Sequence, residues 1–125
     1  MTVNLRIPGP TPIPDDILTA SSKQMINHRG PEFKDLIESV TEKTKAVFNT
    51  TKDLYILTAS GTGGMEAALV NTISPGDKVL AITVGIFGNR FVQIAKAYGA
   101  DVTVLSTEYG KAIDPDEVKK ALDAD

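Results

Sequence analysis

The junction between an apolar segment and a glycine-rich turn constrains the fold of this chain more than any other feature. Residues 54–59 are Leu-Tyr-Ile-Leu-Thr-Ala, and residues 60–64, Ser-Gly-Thr-Gly-Gly, follow at once. The pattern predicts a strand over Leu54–Ala59 and a helix over Gly64–Ile73. The first N–H groups of a helix have no acceptor inside it, and the helix dipole favours negative charge there. The junction therefore predicts an anion site, and we expect the anion to be a phosphate.

Segments with strand and helix character alternate after this junction. Strands are predicted over Lys78–Val84 and Asp101–Ser106, with a helix over Asn89–Tyr98 between them. Asp114-Pro115 is a strong signal for the start of a further helix. Such alternation is typical of a mainly parallel sheet flanked by helices. The sequence therefore predicts an α/β fold, and because only three strands are predicted, we expect an incomplete domain.

The first part of the chain has a different character. Residues 7–14 carry a proline at every second position, which predicts an extended arm because proline lacks the N–H that helices and sheets need. A short helix is predicted from Asp15 to about Gln24, and Gly30-Pro31-Glu32 starts a longer one whose apolar face includes positions up to Phe48. We therefore divide the chain into an arm with a short helix, residues 1–30, and a partial α/β domain, residues 31–125.

Composition excludes several classes of site and partner. The net charge of -3 gives no basic face for nucleic acid. The absence of cysteine excludes disulfides and thiolate metal sites, and a single histidine excludes a multi-histidine metal site. The sequence has neither a membrane-spanning apolar run nor a signal-peptide pattern. We expect a cytoplasmic protein without a metal, a membrane or a nucleic acid as partner.

Other phosphate-binding motifs fit the glycine-rich turn poorly. A Walker A loop requires a lysine after the glycines, and none is present. A dinucleotide-binding motif requires a third glycine where this chain has Glu66. A receiver domain needs an aspartate at a strand end, which the predicted strands lack. A tight connection without a ligand remains an alternative, but the hydroxyls of Ser60 and Thr62 favour an anion site.

A second feature of the predicted sheet edge is an aromatic side chain. Residues 85–90, Gly-Ile-Phe-Gly-Asn-Arg, follow the second predicted strand, and the carboxyl ends of parallel strands meet at one edge, where ligands bind. Phe87 is therefore a candidate stacking platform for a flat ligand, and a core phenylalanine is the alternative. Arg90 follows Phe87 and could contact a phosphate, but we expect it to make a structural ion pair instead.

Taken together, these motifs resemble one family. The chain is similar to class V aminotransferases, pyridoxal 5′-phosphate enzymes of fold type I, and most of all to the alanine–glyoxylate, serine–glyoxylate and serine–pyruvate transaminases. The resemblance spans nearly the whole chain. It is carried by five blocks in order: Pro8-Gly9-Pro10-Thr11, His28-Arg29-Gly30-Pro31-Glu32-Phe33, Ser60-Gly61-Thr62-Gly63-Gly64-Met65-Glu66-Ala67-Ala68, Ser74-Pro75-Gly76-Asp77-Lys78-Val79-Leu80 and Gly85-Ile86-Phe87-Gly88-Asn89-Arg90.

The resemblance implies a role for each matching position. The cofactor phosphate would be held by the hydroxyl and backbone groups of the turn, and the pyridine ring would stack on Phe87. Gly9 would border the substrate side of the pocket. The segment around His28 would lie near the partner subunit of a homodimer. The implied phosphate-binding residues are Ser60, Thr62, Gly63 and Gly64.

The resemblance also implies what this chain lacks. In the family, the lysine that bonds the cofactor, the acid that pairs with the ring nitrogen and the arginine that holds the substrate carboxylate come from sequence after residue 125. We therefore expect no catalytic residue in this chain and no transaminase activity from it alone. The implied fold is the N-terminal portion of the fold type I large domain, in which the strand Leu54–Ala59 would lack its usual neighbours.

The resemblance implies that the intact enzyme moves an amino group between a small amino acid, alanine or serine, and glyoxylate or pyruvate. Three alternatives stay open. The chain could be a small α/β module that binds a phosphate-bearing ligand without chemistry. It could belong to another class V enzyme, such as a cysteine desulfurase-like protein, or it could be a structural fragment with no ligand.

Overall fold

The chain divides into two units, Met1–Ile56 and Leu57–Asp125, in a computed structural model that describes residues 5–124. Two helices make up the regular structure in the described part of the first unit. Helix α1 spans Asp15–Ser21 and helix α2 spans Pro31–Phe48. Helix α2 begins at the predicted start signal and includes the predicted apolar positions, whereas α1 ends three residues before the predicted end at Gln24. The predicted domain boundary between residues 30 and 31 stays a prediction.

The second unit is built around a parallel pair of strands. Helix α3, Gly61–Val70, precedes strand β1, Lys78–Thr83; helix α4, Ile86–Ala97, then leads to strand β2, Asp101–Ser106. The two strands pair in parallel with Lys78 opposite Asp101 and Thr83 opposite Ser106. Helix α5 spans Pro115–Asp123. The predicted α/β fold with a parallel sheet is therefore confirmed, and β2 has the predicted bounds.

The loops that precede the two strands are bonded to each other. The Gly76 N–H donates to the Gly99 carbonyl oxygen at 2.7 Å, and the Asp101 N–H donates to the Asp77 carbonyl oxygen at 2.9 Å. Gly99 has a φ of +80°, a conformation that glycine adopts without strain. The strands are therefore aligned with each other before the ladder begins.

The prediction of a strand over Leu54–Ala59, the first of the three predicted strands, is wrong. None of these residues belongs to a strand, and the Ala59 N–H donates to the Leu57 carbonyl at 3.0 Å, a local bond instead of a ladder bond. A strand requires a neighbouring backbone to pair with. In the part of the chain that the structure describes, β1 and β2 pair only with each other, so the apolar sequence of this segment has no ladder to join.

Helices α3 and α4 both begin three residues earlier than predicted. The start of α3 moves from Gly64 to Gly61 because Ser60 caps it, and the start of α4 moves from Asn89 to Ile86. Helix α4 packs on both strands and on α3. Its Ala95 is 1% exposed and marks the small core of this unit.

Between residues 5 and 124, no helix is long and apolar enough to cross a membrane. The same residues contain no group of three or more histidine, cysteine, aspartate or glutamate side chains that could hold a metal ion.

Candidate functional site

The start of α3 presents backbone donors without acceptors in the helix. The Ser60 Oγ accepts from the Gly63 N–H at 3.3 Å, and the Gly64 N–H donates to the Ser60 carbonyl at 3.1 Å, which is the first intrahelical bond. The N–H groups of Gly61 and Thr62 precede that bond, so the helix offers them no acceptor. The resemblance already implied a role for the backbone of Thr62, whereas Gly61 was missed because the predicted helix began at Gly64. These two amides become the leading backbone donors of the site.

The two glycines after Thr62 differ in the space around them. A Cβ at Gly63 would lie 2.8 Å from the Ala59 Cβ, a distance that requires the backbone to shift. A Cβ at Gly64 would meet nothing within 4 Å. Gly63 therefore allows the turn to fold back closely over the start of α3, whereas Gly64 has no steric role.

The connection from β1 to α4 is held by Thr83, which is 3% exposed. Its hydroxyl donates to Asn89 Oδ1 at 2.6 Å, and the Gly85 carbonyl oxygen lies 3.2 Å away as a second acceptor. A Cβ at Gly88 would approach Thr83 to 2.9 Å. The first turn of α4 is thereby fixed against the end of β1.

Phe87 lies in that first turn of α4, not in a loop as predicted, and the residue is 56% exposed. The alternative that Phe87 is a core residue is therefore wrong for the part of the chain that the structure describes. An exposed ring fixed at a helix start is suited to stacking on a flat ligand.

A hydrogen bond joins the starts of the two helices. The Arg90 Nη1 donates to the Thr62 Oγ1 at 2.6 Å, and both residues are partly buried. The expected ion pair of Arg90 is not found among residues 5–124, where its guanidinium bonds a neutral hydroxyl instead. Phe87 and Arg90 are three residues apart on α4 and therefore neighbours on its surface. The bond relates the aromatic ring to the start of α3.

A second bond connects the same helices farther along. The Tyr98 hydroxyl donates to the Glu66 Oε1, and this bond raises the pKa of Tyr98 above its ordinary value because the nearby carboxylate disfavours the phenolate. Glu66 comes four positions after Thr62 in α3, and Tyr98 directly follows the last residue of α4. The Glu66 carboxylate therefore accepts a hydrogen bond from Tyr98, away from the start of α3.

The structure brings together four of the predicted residues at one helix start and places the fifth, Phe87, at the start of the helix that packs against it. Gly9 lies in the other unit and is exposed, so its predicted place at the substrate side stays a prediction. The same is true of His28 and the subunit interface. The bond between Arg90 and Thr62 was missed, because nothing in the sequence pairs residues 28 positions apart.

Chemically, the starts of α3 and α4 offer two unsatisfied amides, the hydroxyls of Ser60 and Thr62, a guanidinium and an exposed aromatic ring. Amides and hydroxyls at a helix start suit a phosphate, and a phenyl ring suits an aromatic ligand. The arrangement is fitted to a phosphorylated ring compound.

Comparison with known proteins agrees with this chemistry. The family model for aminotransferase class-V matches residues 4–125. The serine–glyoxylate aminotransferase of Methylorubrum extorquens is 41% identical over 123 residues, which are 98% of this chain and 31% of that protein. The soluble hydrogenase 42 kDa subunit of Anabaena cylindrica is 41% identical over 121 residues, which are 97% of this chain and 32% of that protein.

A solved structure shows the same fold. The alanine–glyoxylate aminotransferase from Nostoc sp. superposes with a TM-score of 0.84 at 32% sequence identity, covering 99% of this chain and 35% of that one. The chain spans about a third of the length of the relatives that it matches.

Proposed function

Because the chain belongs to the class-V aminotransferases, we propose that the starts of α3 and α4 hold pyridoxal 5′-phosphate. The phosphate sits on the Gly61 and Thr62 amides and the hydroxyls of Ser60 and Thr62, and the pyridine ring stacks on Phe87. The observation that carries this proposal is the bond between Arg90 and Thr62, because it links the phosphate donors to the helix turn that bears the ring platform.

The residues present fit the group on two grounds. The Gly63 N–H reaches Ser60 Oγ only at 3.3 Å, long for such a bond, so a phosphate oxygen can compete for it. Neither helix has an acidic residue in its first turn, so neither first turn carries a carboxylate that would repel an anion. When bound, the cofactor supplies an electron sink for amino-group transfer. The residues of this chain bind and orient it.

For the intact protein we propose transfer of an amino group between alanine or serine and glyoxylate or pyruvate, in a cytoplasmic homodimer. The names of the Methylorubrum and Nostoc relatives support the glyoxylate-linked substrates.

Binding of pyridoxamine 5′-phosphate tests the cofactor site. This compound has the phosphate and ring of the cofactor but no aldehyde, so surface lysines cannot capture it. We expect Phe87→Ala to weaken its binding about tenfold and to leave inorganic phosphate binding unchanged, since only ring stacking is lost. Phe48→Ala is the control, because Phe48 is also an exposed phenylalanine and lies in the other unit.

Equal binding of pyridoxamine 5′-phosphate to the Phe87→Ala variant and the parent chain would contradict the ring platform. Tighter binding of a nucleotide would favour the alternative of a phosphate-ligand module without catalysis.

We also propose that the 125 residues contain no catalytic lysine. Alanine and glyoxylate incubated with the chain and pyridoxal 5′-phosphate should give no turnover. Turnover that borohydride abolishes, together with a cofactor adduct on one lysine, would overturn this part of the proposal.

A further inference from the structure

We propose that Arg90 is a positioning residue for the phosphate: by donating to Thr62 Oγ1, its guanidinium leaves the hydrogen of that hydroxyl to be donated to the bound anion. The inference rests on the proposed function of the α3 start. It assigns a role to a side chain that need not contact the ligand.

The chemistry of the two groups sets the direction of the bond. A guanidinium has donors and no acceptor, so the Thr62 oxygen must accept at the 2.6 Å contact. A hydroxyl has one hydrogen and two acceptor positions, so accepting from Arg90 leaves its hydrogen free for another partner. Without Arg90, the same hydroxyl could equally rotate to accept from a water molecule and lose that orientation.

The charge of Arg90 strengthens the effect. A hydrogen bond from an ionised donor is about twice as strong as a neutral one, and an oxygen that accepts it becomes a better donor through its own hydrogen. Thr62 and Arg90 are both partly buried, so water competes less for the contact than it would on an open surface. The Thr62 hydroxyl is thereby a stronger phosphate donor than an isolated threonine.

The location of the pair couples the two halves of the site. Thr62 is the second residue of α3, beside the unsatisfied amides, and Arg90 lies one helical turn after Phe87. Gly88, between Phe87 and Arg90 in sequence, packs closely against Thr83 at the end of β1. This close contact restricts movement of the first turn of α4 relative to β1. Arg90 therefore projects from a fixed turn, which keeps the Thr62 hydroxyl in one orientation.

The Glu66–Tyr98 bond provides an internal comparison, because it joins the same two helices. Glu66 is four residues after Thr62, so it lies one helical turn, about 6 Å, farther from the start of α3. Loss of that bond loosens the helix pair but does not touch the phosphate donors. A role of Arg90 in helix packing alone would be shared by Tyr98, whereas a role in orienting the hydroxyl would not.

The test measures binding of inorganic phosphate and pyridoxamine 5′-phosphate to the 125-residue chain and its variants. We expect Arg90→Gln and Thr62→Val each to weaken binding of both probes about three- to tenfold, the loss of one hydrogen bond. The double variant should bind no more weakly than the weaker single variant, because both changes remove the same donor. Tyr98→Phe should bind both probes as the parent does.

Two conservative variants separate orientation from simple attraction. Thr62→Ser keeps a hydroxyl and should retain the parent affinity. If Arg90 acted only as a nearby positive charge, Arg90→Gln would weaken binding equally in the presence of Thr62→Val, and that additive result would overturn the inference. If Thr62→Ser loses as much phosphate affinity as Thr62→Val, the inference is overturned too. This comparison does not depend on whether Arg90→Gln folds.

The inference and the proposed function fail in different ways. If the parent chain binds neither probe, the proposed phosphate site is wrong and the inference falls with it. If the parent binds both probes and Arg90→Gln binds them equally well, only the role of Arg90 is wrong.

Discussion

The starts of α3 and α5, both in the second unit, differ in whether acidic side chains neutralise the positive end of the helix dipole. Both have a side-chain cap: Ser60 accepts from Gly63 at 3.3 Å, and Asp114 accepts from Asp116 at 2.9 Å. The first turn of α5 also contains two acidic residues, Asp116 and Glu117, whereas the first turn of α3 contains none.

The difference distinguishes a structural helix start from one that is available to a ligand. Acidic side chains in the first turn neutralise the positive end of the helix dipole, so α5 gains little from an external anion. The start of α3 has glycines and a neutral cap, and its acidic residue, Glu66, is bonded to Tyr98. No acidic residue of its own first turn neutralises the positive end of α3, as the proposed phosphate site requires.

The largest expected effect comes from giving α3 the acidic first turn of α5. Gly61→Asp adds a carboxylate where a Cβ meets nothing within 4 Å, so the fold should tolerate it. We expect phosphate affinity to fall about thirtyfold, roughly 2 kcal/mol of charge repulsion at the surface of the protein. Isothermal titration with inorganic phosphate measures the change.

Gly61→Asn is the control for this substitution, because it has the same shape without the charge. If both variants lose affinity equally, crowding and not charge explains the loss, and the contrast between α3 and α5 does not hold.

An effect on stability of comparable size is expected from filling the space at Gly63. Gly63→Ala places a Cβ 2.8 Å from the Ala59 Cβ, and we expect it to lower the free energy of unfolding by about 1–3 kcal/mol, as overpacking does. Gly64→Ala, with open space around it, should instead raise that free energy by about 0.5–1 kcal/mol because alanine is the better helix former. Urea denaturation of both variants measures the two free energies of unfolding. If they change equally, the turn at Gly63 does not pack against Ala59 as described.

The two caps should have similar structural value and different functional value. Ser60→Ala and Asp114→Ala should each lower the free energy of unfolding by about 1 kcal/mol, because each leaves a helix amide without its partner. Only Ser60→Ala should also weaken phosphate binding. A loss of phosphate affinity in Asp114→Ala of the same size would show that general stability, and not the α3 start, governs binding.

The smallest expected effect is on the pKa of Tyr98, whose hydroxyl donates to Glu66. Because the folded-state pKa of Tyr98 is raised above its ordinary value of 10.0, the folded chain holds this proton more tightly than the unfolded chain. The contribution of the bond to stability is therefore present below pH 10 and is lost as the pH rises through the raised pKa. Absorbance at the tyrosinate band should show one tyrosine that titrates late, and Glu66→Gln should return it to the ordinary range.

Local signals predicted the helix starts that depend on neighbouring residues. The start of α5 follows from Asp114-Pro115, and the start and apolar face of α2 follow from Pro31 and the apolar spacing, because capping and periodicity involve residues a few positions apart. The glycine-rich turn likewise indicated an anion site at α3, although the helix begins three residues earlier than predicted.

Features that depend on distant residues could not be predicted in this way. The apolar sequence of Leu54–Ala59 favours a strand, but pairing decides whether a strand forms, and no partner lies in the described part of the chain. Arg90 was expected to pair with a charge, yet its partner is the hydroxyl of Thr62, 28 residues away. Which neutral group an arginine meets depends on how two helices pack, and a single sequence contains no signal for that.

The bond between Gly76 and Gly99 has a consequence for how this unit tolerates changes in loop length. Inserting one residue into either loop would shift β1 against β2 by one step and turn every side chain of the shifted strand to the opposite face. Gly110, in the loop before α5, has open space around it and no such bond to maintain. Natural length variation and engineered tags should therefore accumulate near residue 110 and be excluded from residues 76 and 99.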